Sequence, residues 1–214
     1  MKKDFEFLRN QMVESQLMRR HLVDPKILDV FRKIPRHLFV LETHLSQAYE
    51  DHPIPIGFEQ TISQPYIVAL MTQCMAPKAD SRILEVGTGS GYQTAVLAEL
   101  CGSVYSVERI CELSARAEKR LRELGYRNIF FKCGNGAEGW DASGPYDGIL
   151  VSCASRTVPT PLLSQLKEGG RVVIPLGGSF SQVLTVLRKH HGSLECREIC
   201  GCAFVPLIEK GSAA

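Results

Sequence analysis

Long apolar runs are missing from this chain. Its 214 residues contain no stretch of eighteen or more apolar side chains, so no bilayer-spanning helix is expected. The opening Met1-Lys2-Lys3-Asp4-Phe5-Glu6 carries charges where a secretion signal needs an apolar core, and a cytoplasmic location is expected. An excess of charge of one sign is also lacking. The net charge is +2, and the basic pairs Arg19-Arg20, Lys119-Arg120 and Arg188-Lys189 are scattered, which leaves no stripe for nucleic acid or an acidic membrane. The C-x-x-C pair typical of zinc sites is absent. His190, His191, Cys196, Cys200 and Cys202 are the one grouping of soft ligands, and if the three cysteines share a strand their even spacing puts them on one packing face, so no metal is expected. The eight cysteines are dispersed and read as reduced thiols packed as small apolar side chains. Repeats and low-complexity segments are lacking too, apart from an end at 211–214 expected to fray.

What is present is the pattern of one α/β unit, and 44% hydrophobic residues are ample for its core. Apolar residues Phe5, Leu8, Met12, Leu17 and Met18 mark an amphipathic helix over 4–20. Asp24-Pro25 reads as the cap and first position of a second helix running to Ile34 and stopped by Pro35. Residues 49–65, with Pro53, Pro55, Gly57 and Pro65, are too interrupted for regular structure yet apolar enough to be ordered. From 66 onward helix and strand alternate: helix to Met75, strand 82–86, helix 91–101, strand 103–107, helix 110–124, strand 128–132, strand 147–151, a helix opening near Pro159 to Pro161, then strand 171–175. Extended runs at 182–189 and 194–205, with turns at Gly177-Gly178 and His191-Gly192, close the chain as an antiparallel edge. The expected fold is α/β, a doubly wound, mostly parallel sheet of seven strands. Residues 1–78 form its helical and covering segment and 79–214 its core, in one structural unit.

The most informative run is Ile83-Leu84-Glu85-Val86-Gly87-Thr88-Gly89-Ser90-Gly91-Tyr92-Gln93-Thr94-Ala95: a strand, a glycine turn and a helix start, where open α/β sheets bind nucleotide-like ligands. Dinucleotide-binding turns favour G-x-G-x-x-G, whereas Tyr92 stands near where the third glycine belongs. Glu108 ends the next strand about 20 residues beyond the first glycine, where a carboxylate accepts from both hydroxyls of a ribose. Glu85 adds negative charge next to the turn, which suits a cationic sulfonium and amino group better than a pyrophosphate. The pattern favours S-adenosylmethionine over NAD.

Together with Gln60-Thr61-Ile62-Ser63-Gln64-Pro65 and Ser106-Val107-Glu108-Arg109-Ile110, this run resembles the bacterial type of protein-L-isoaspartate O-methyltransferase. The resemblance continues in Pro145-Tyr146-Asp147-Gly148-Ile149-Leu150-Val151, in 166–175 and in Phe204-Val205-Pro206-Leu207. It implies an S-adenosylmethionine-dependent methyltransferase fold and methylation of the α-carboxylate of isoaspartyl residues, giving an ester that collapses to a succinimide. It further implies isoaspartyl proteins and peptides as partners, a monomer, and no metal, nucleic acid or membrane. Ser63 takes the place of the family's active-site serine. Glu85, Gly87, Thr88, Gly89, Gly91, Glu108, Asn135 and Gly136 fall at cofactor positions, and Gln60, Thr61, Ile62, Gln64 and Val205 at substrate positions. Read without the family, Ser63 is also a helix N-cap candidate ahead of Pro65.

Two departures stand out. Asn135 replaces the aspartate that the family uses for the adenine amino group, and Ser152-Cys153-Ala154-Ser155-Arg156 differs from the family's usual run. Asn135-Gly136 is also prone to succinimide formation, so deamidation restoring an aspartate is a further expectation. Other readings remain open at this point: a carboxyl methyltransferase acting on another acceptor, a non-catalytic binding protein, and a nicotinamide-dependent oxidoreductase.

Overall fold

The structure, a computed structural model, describes residues 4–178 and 181–208. Asp4 caps α1 (Phe5–Met12) by accepting from the Phe7 N–H. The single helix expected over 4–20 is broken after α1: a π turn at Val13–Leu17 and a 3₁₀ turn at Met18–Arg20 follow, and His21 ends the segment with a φ of 62°. Asp24 caps α2 (Pro25–Lys33), with proline at its first position.

The proline-rich stretch is more regular than its sequence suggests. Ile54–Gly57 (β1) and Gln60–Ile62 (β2) pair as an antiparallel hairpin. Its tip turns through Gly57, Phe58 and Glu59, all with positive φ. Sequence reading misses the hairpin because Phe58 and Glu59 lack the glycine or asparagine that such turns favour. Then comes α3 (Pro65–Met75), followed by the alternating core: β3 (Arg82–Val86), α4 (Tyr92–Leu100), β4 (Ser103–Glu108), α5 (Cys111–Glu123), β5 (Ile129–Cys133), β6 (Tyr146–Val151), α6 (Thr160–Ser164), β7 (Leu166–Gly177), β8 (Gln182–His190) and β9 (Ser193–Cys202).

Seven strands lie in the order β5-β4-β3-β6-β7-β8-β9. Pairing is parallel from β5 to β7 and antiparallel across β7, β8 and β9, the edge hairpin expected from the turn residues. β3 has β4 on one side and β6 on the other, so the crevice beyond its carboxyl end is where a ligand enters such a sheet. Alternation along β3 splits the interior. Ile83 joins an apolar cluster with Met12, Phe31, Ile54 and Val68, whereas Leu84 and Val86 join a second cluster with Tyr105, Ile149 and Leu162. The first cluster packs the N-terminal helices and β1 against the sheet, which fixes the hairpin relative to the strand ends.

Two cysteine expectations are corrected. Cys111 and Cys133 form a disulfide, with their Cα atoms 5.2 Å apart, because β5 lies beside β4 and brings Cys133 opposite Glu108, three residues before Cys111. Cys74, Cys101, Cys153, Cys196, Cys200 and Cys202 are free. Nor do the last three share a face. Leu184 pairs with Cys200 but Thr185 pairs with Glu198, so Ile199 is an extra residue in β9, and such a bulge reverses the side-chain alternation. Cys196 therefore faces with Leu187, and Cys200 with Leu184. Among the described residues no group of three or more His, Cys, Asp or Glu side chains is placed to hold a metal ion, and no helix is long and apolar enough to cross a membrane. The end at 211–214 lies outside the described residues.

Candidate active site

The carboxyl ends of β3 and β4, the glycine turn, the β1–β2 hairpin and the segment 205–208 enclose a cavity of about 390 Å³. Gly87, Gly89 and Gly91 all have positive φ, with values of 94°, 52° and 86°, which glycine adopts without the clash of a Cβ. At Gly91 a Cβ would stand 3.0 Å from Leu121 and 3.2 Å from Ala117, so this glycine lets α5 approach the turn. Gly87 and Gly89 line the cavity with Thr88 and Ser90.

Glu108 is held by the backbone. Its Oε2 accepts from the Gly89 N–H and its Oε1 from the Ile110 N–H, both at 2.9 Å. It is buried and lines the cavity, and each oxygen keeps a second lone pair for a ligand hydroxyl. Glu85 lies deeper and does not line the cavity. Its Oε2 accepts from Thr94 and Ser106, both at 2.6 Å. Its Oε1 is buried with no partner among the described residues, and burial pushes its carboxyl up to about 7 against the pull of those two hydroxyls. Thr88 completes the network through Ser106 at 2.5 Å.

The hairpin layer brings Gln60, Thr61, Ile62 and Ser63 to the cavity, and the C-terminal segment brings Val205. Ser63 is half-buried, and its hydroxyl has no hydrogen bond among the described residues. The cap reading is set aside, since the cap of α3 is Gln64 and no side chain caps that end. Gln64 itself turns away from the cavity: its amide nitrogen donates to the Asp51 carbonyl and carboxylate at 3.0 and 2.8 Å.

A family model described as Protein-L-isoaspartate(D-aspartate) O-methyltransferase (PCMT) matches residues 8–212. The chain belongs to this protein-L-isoaspartate O-methyltransferase family. A protein-L-isoaspartate O-methyltransferase of Dictyoglomus turgidum is 50% identical over 202 residues, covering 94% of this chain and 88% of that one. A relative of the same name in Syntrophobacter fumaroxidans is 47% identical, covering 97% of each chain. A solved protein-L-isoaspartate O-methyltransferase superposes with a TM-score of 0.83 at 30% identity, over 92% of this chain and 65% of that one. A Plasmodium falciparum chain solved with S-adenosyl-L-homocysteine shares the fold, with a TM-score of 0.81 at 24% identity, over 94% of this chain and 98% of that one.

Within this family framework Asn135 has a local explanation. Its Oδ1 accepts from the Ala137 N–H and its Nδ2 donates to Glu138 Oε1, both at 3.1 Å. An aspartate would set a second carboxylate against Glu138. Asn135 does not line the cavity, whereas Gly136 does. At Gly136 a Cβ would stand 2.4 Å from Val86 Cγ1. Gly136→Ala is therefore expected to destabilise by about 2 kcal/mol and to lower the melting temperature by roughly 4–8 °C in a calorimetric scan. An unchanged melting temperature would mean that Val86 moves aside at no cost.

Two supporting residues, Arg36 and Gln182, carry no sequence signal. Arg36 is fully buried; its Nε donates to the Ala48 carbonyl and its Nη2 to the Ser63 carbonyl at 2.8 Å, and its guanidinium lies over the Tyr92 ring. Burial lowers its pKa to about 10, still protonated at neutral pH. Gln182, also buried, exchanges two hydrogen bonds with the Phe204 backbone and so seats the strand end before Val205. Cys153 borders the cavity, but burial, and then the charge of Glu108, push its thiol up to about 12, so it stays protonated beside an alkyl donor. The atypical 152–156 segment is placed by its backbone: Ala154 pairs with Val205 and Leu207, and Ser155 with Pro175 and Gly177.

Proposed function

We propose that this protein transfers the methyl group of S-adenosylmethionine to the α-carboxylate of L-isoaspartyl residues in damaged proteins and peptides, acting in the cytoplasm as a monomer. One juxtaposition carries the reading. A strand-end carboxylate fixed by backbone N–H groups, Glu108, and a hydroxyl just past the covering hairpin, that of Ser63, unengaged among the described residues, border the same cavity. The small net charge of +2 and the scattered basic residues support a protein acceptor over nucleic acid.

The residues suit the methyl donor. Glu108 retains lone pairs for two ribose hydroxyls, Gly136 leaves open the wall beside the adenine position, and the buried Glu85, behind the cavity lining, adds negative charge next to the turn that favours a cationic ligand. Bound there, S-adenosylmethionine supplies an electrophilic methyl group on a sulfonium. Gly87 to Gly89 let the backbone close on it, and Ile62 and Val205 keep water from the reacting atoms. Ser63 donates its O–H to one oxygen of the substrate carboxylate, with Gln60 and Thr61 beside it, and so turns the other oxygen toward the methyl group. A carboxylate with a pKa of roughly 3.5 is already ionised at neutral pH, so no base is required. Neither histidine nor lysine is among the described residues lining the cavity. Orientation is the main contribution, worth about 7–11 kcal/mol for well-aligned reactants.

The test is transfer of radiolabelled methyl to two peptides that differ only in an isoaspartyl or normal aspartyl linkage. Labelling of the isoaspartyl peptide alone is expected; equal labelling of both, or of neither, overturns the reading.

Glu85 gives the donor site a pH dependence. Ligand cations favour the carboxylate form, so a group titrating near 7 when free is held ionised in the complex, and binding releases a proton. Affinity for the donor is therefore expected to rise from pH 6 to about 8 and then level off. Calorimetry in buffers of different ionisation enthalpy should detect the released proton at pH 6.5, and its absence would place the cation away from Glu85.

A further inference from the structure

The disulfide between Cys111 and Cys133 sits against the donor cavity. Cys111 directly follows Arg109 and Ile110, which line the cavity, and the Ile110 N–H holds Glu108 Oε1. Cys133 pairs with Glu108 in the sheet, the Gly134 N–H donates to the Glu108 carbonyl at 2.9 Å, and Gly136 lines the opposite part of the same wall. The bond thus ties together the two chain segments, 108–110 and 134–136, that flank the ribose carboxylate.

We propose that Cys111 and Cys133 form a reversible thiol–disulfide latch that sets the affinity of the donor site, tight when closed and looser when open. The proposal rests on the reading above that this cavity binds S-adenosylmethionine.

Three observations carry it. First, among the described residues no side chain caps the start of α5, so the helix lacks the hydrogen bond that normally pins a first turn. Its later part is anchored, since Ala117 and Leu121 pack against Gly91. The disulfide supplies the missing tie at the end that carries Arg109 and Ile110. Second, both sulfurs belong to exposed residues, open to exchange with a small thiol. Cys153, the free thiol bordering the cavity, is buried with its pKa pushed up to about 12, so oxidants reach the latch before they reach that thiol. Third, β5 keeps its place without the bond through five parallel register pairs with β4. Opening therefore loosens the 109–111 corner and leaves the sheet intact.

The exchange balances with a low-molecular-weight disulfide as oxidant. One protein thiolate attacks it, releasing one small thiol and leaving a mixed disulfide. The second protein thiolate displaces the second small thiol and closes the Cys111–Cys133 bond. Two protein thiols are oxidised by two electrons, one small disulfide is reduced, and both protons end on the departing thiols. Excess small thiol runs the sequence backward. Disulfides in reducing compartments are usually transient or sensing, consistent with such a pair.

The test compares the full chain in three forms: disulfide-bonded, reduced with dithiothreitol, and the C111S/C133S double variant. S-adenosylhomocysteine affinity is read by calorimetry, and hydrogen exchange is read over residues 109–114. The reduced protein and the double variant are expected to bind about three- to tenfold more weakly than the bonded form. They are also expected to exchange faster over 109–114, with both effects reversed by oxidised glutathione only where both cysteines are present. Equal affinity and equal exchange in the bonded and reduced forms overturn the latch, as does a redox effect that survives in the double variant. A bond that resists excess reduced glutathione overturns its reversibility. Loss of ligand binding in every form instead removes the donor assignment, and the exchange at 109–114 then still decides whether the latch opens.

Discussion

Replacing Ser63 with alanine is expected to lower kcat for an isoaspartyl peptide by about ten- to a hundredfold, while the affinity for S-adenosylhomocysteine changes by less than about twofold. The magnitude follows from one hydrogen bond to a charged group, worth roughly 1.5–3 kcal/mol. The separation of the two effects follows from structure. Ser63 stands on the hairpin layer with its carbonyl anchored by Arg36, whereas the donor is gripped from the strand ends. Among the described residues no side chain depends on the Ser63 hydroxyl, so the variant should melt as the parent does. Steady-state kinetics on the peptide pair decide the matter. An unchanged kcat would mean that the hydroxyl does not meet the substrate carboxylate, and a parallel loss of donor affinity would place it at the sulfonium end instead.

Glu108→Gln is expected to act on the other partner, weakening S-adenosylhomocysteine binding by a hundred- to a thousandfold, about 3–4 kcal/mol. The carboxylate accepts from Gly89 on one oxygen and Ile110 on the other. An amide has one oxygen, so whichever way it turns, its NH₂ confronts one of those backbone N–H groups. A buried donor left unpaired costs about 1–3 kcal/mol, and each charged hydrogen bond to ribose that becomes neutral costs about 1 kcal/mol more. Circular dichroism of the variant separates this loss from unfolding. Binding within threefold of the parent would show that Glu108 holds the turn without touching the ligand.

Much of this arrangement was legible in the sequence because it is local. Glycines 87, 89 and 91, a strand before them and a helix after them specify the turn from within thirteen residues, and Glu108 follows at the spacing that strand, helix and strand impose. The seven strands and the antiparallel edge follow from alternation and turn residues in the same way. What the sequence did not show depends on chain segments far apart. Arg36 reaches Ser63 across 27 positions and Gln182 reaches Phe204 across 22. Neither contact has a local pattern, since a buried arginine and a surface arginine look alike in one dimension. The Cys111–Cys133 bond is of this kind: β5 must settle beside β4 before the two sulfurs meet. The resemblance puts Asn135 and Gln64 at ligand positions, but the structure spends their amides on Ala137, Glu138 and Asp51. Motif position gives proximity to the site, while the direction of a side chain is set by its nearest partner. The bulge at Ile199 shows the same limit, as a single extra residue inverted the faces of every cysteine beyond it.

That bulge has a bearing on the company such a protein keeps. Aged, partly unfolded chains expose unpaired backbone that readily adds to any straight strand left open at a sheet margin. β9 is one margin of this sheet, β5 being the other, and β9 is kinked by its extra residue and carries Glu195, Arg197 and Glu198 on exposed positions. A border of that shape discourages a partly unfolded chain from joining the sheet beyond β9 as an additional strand.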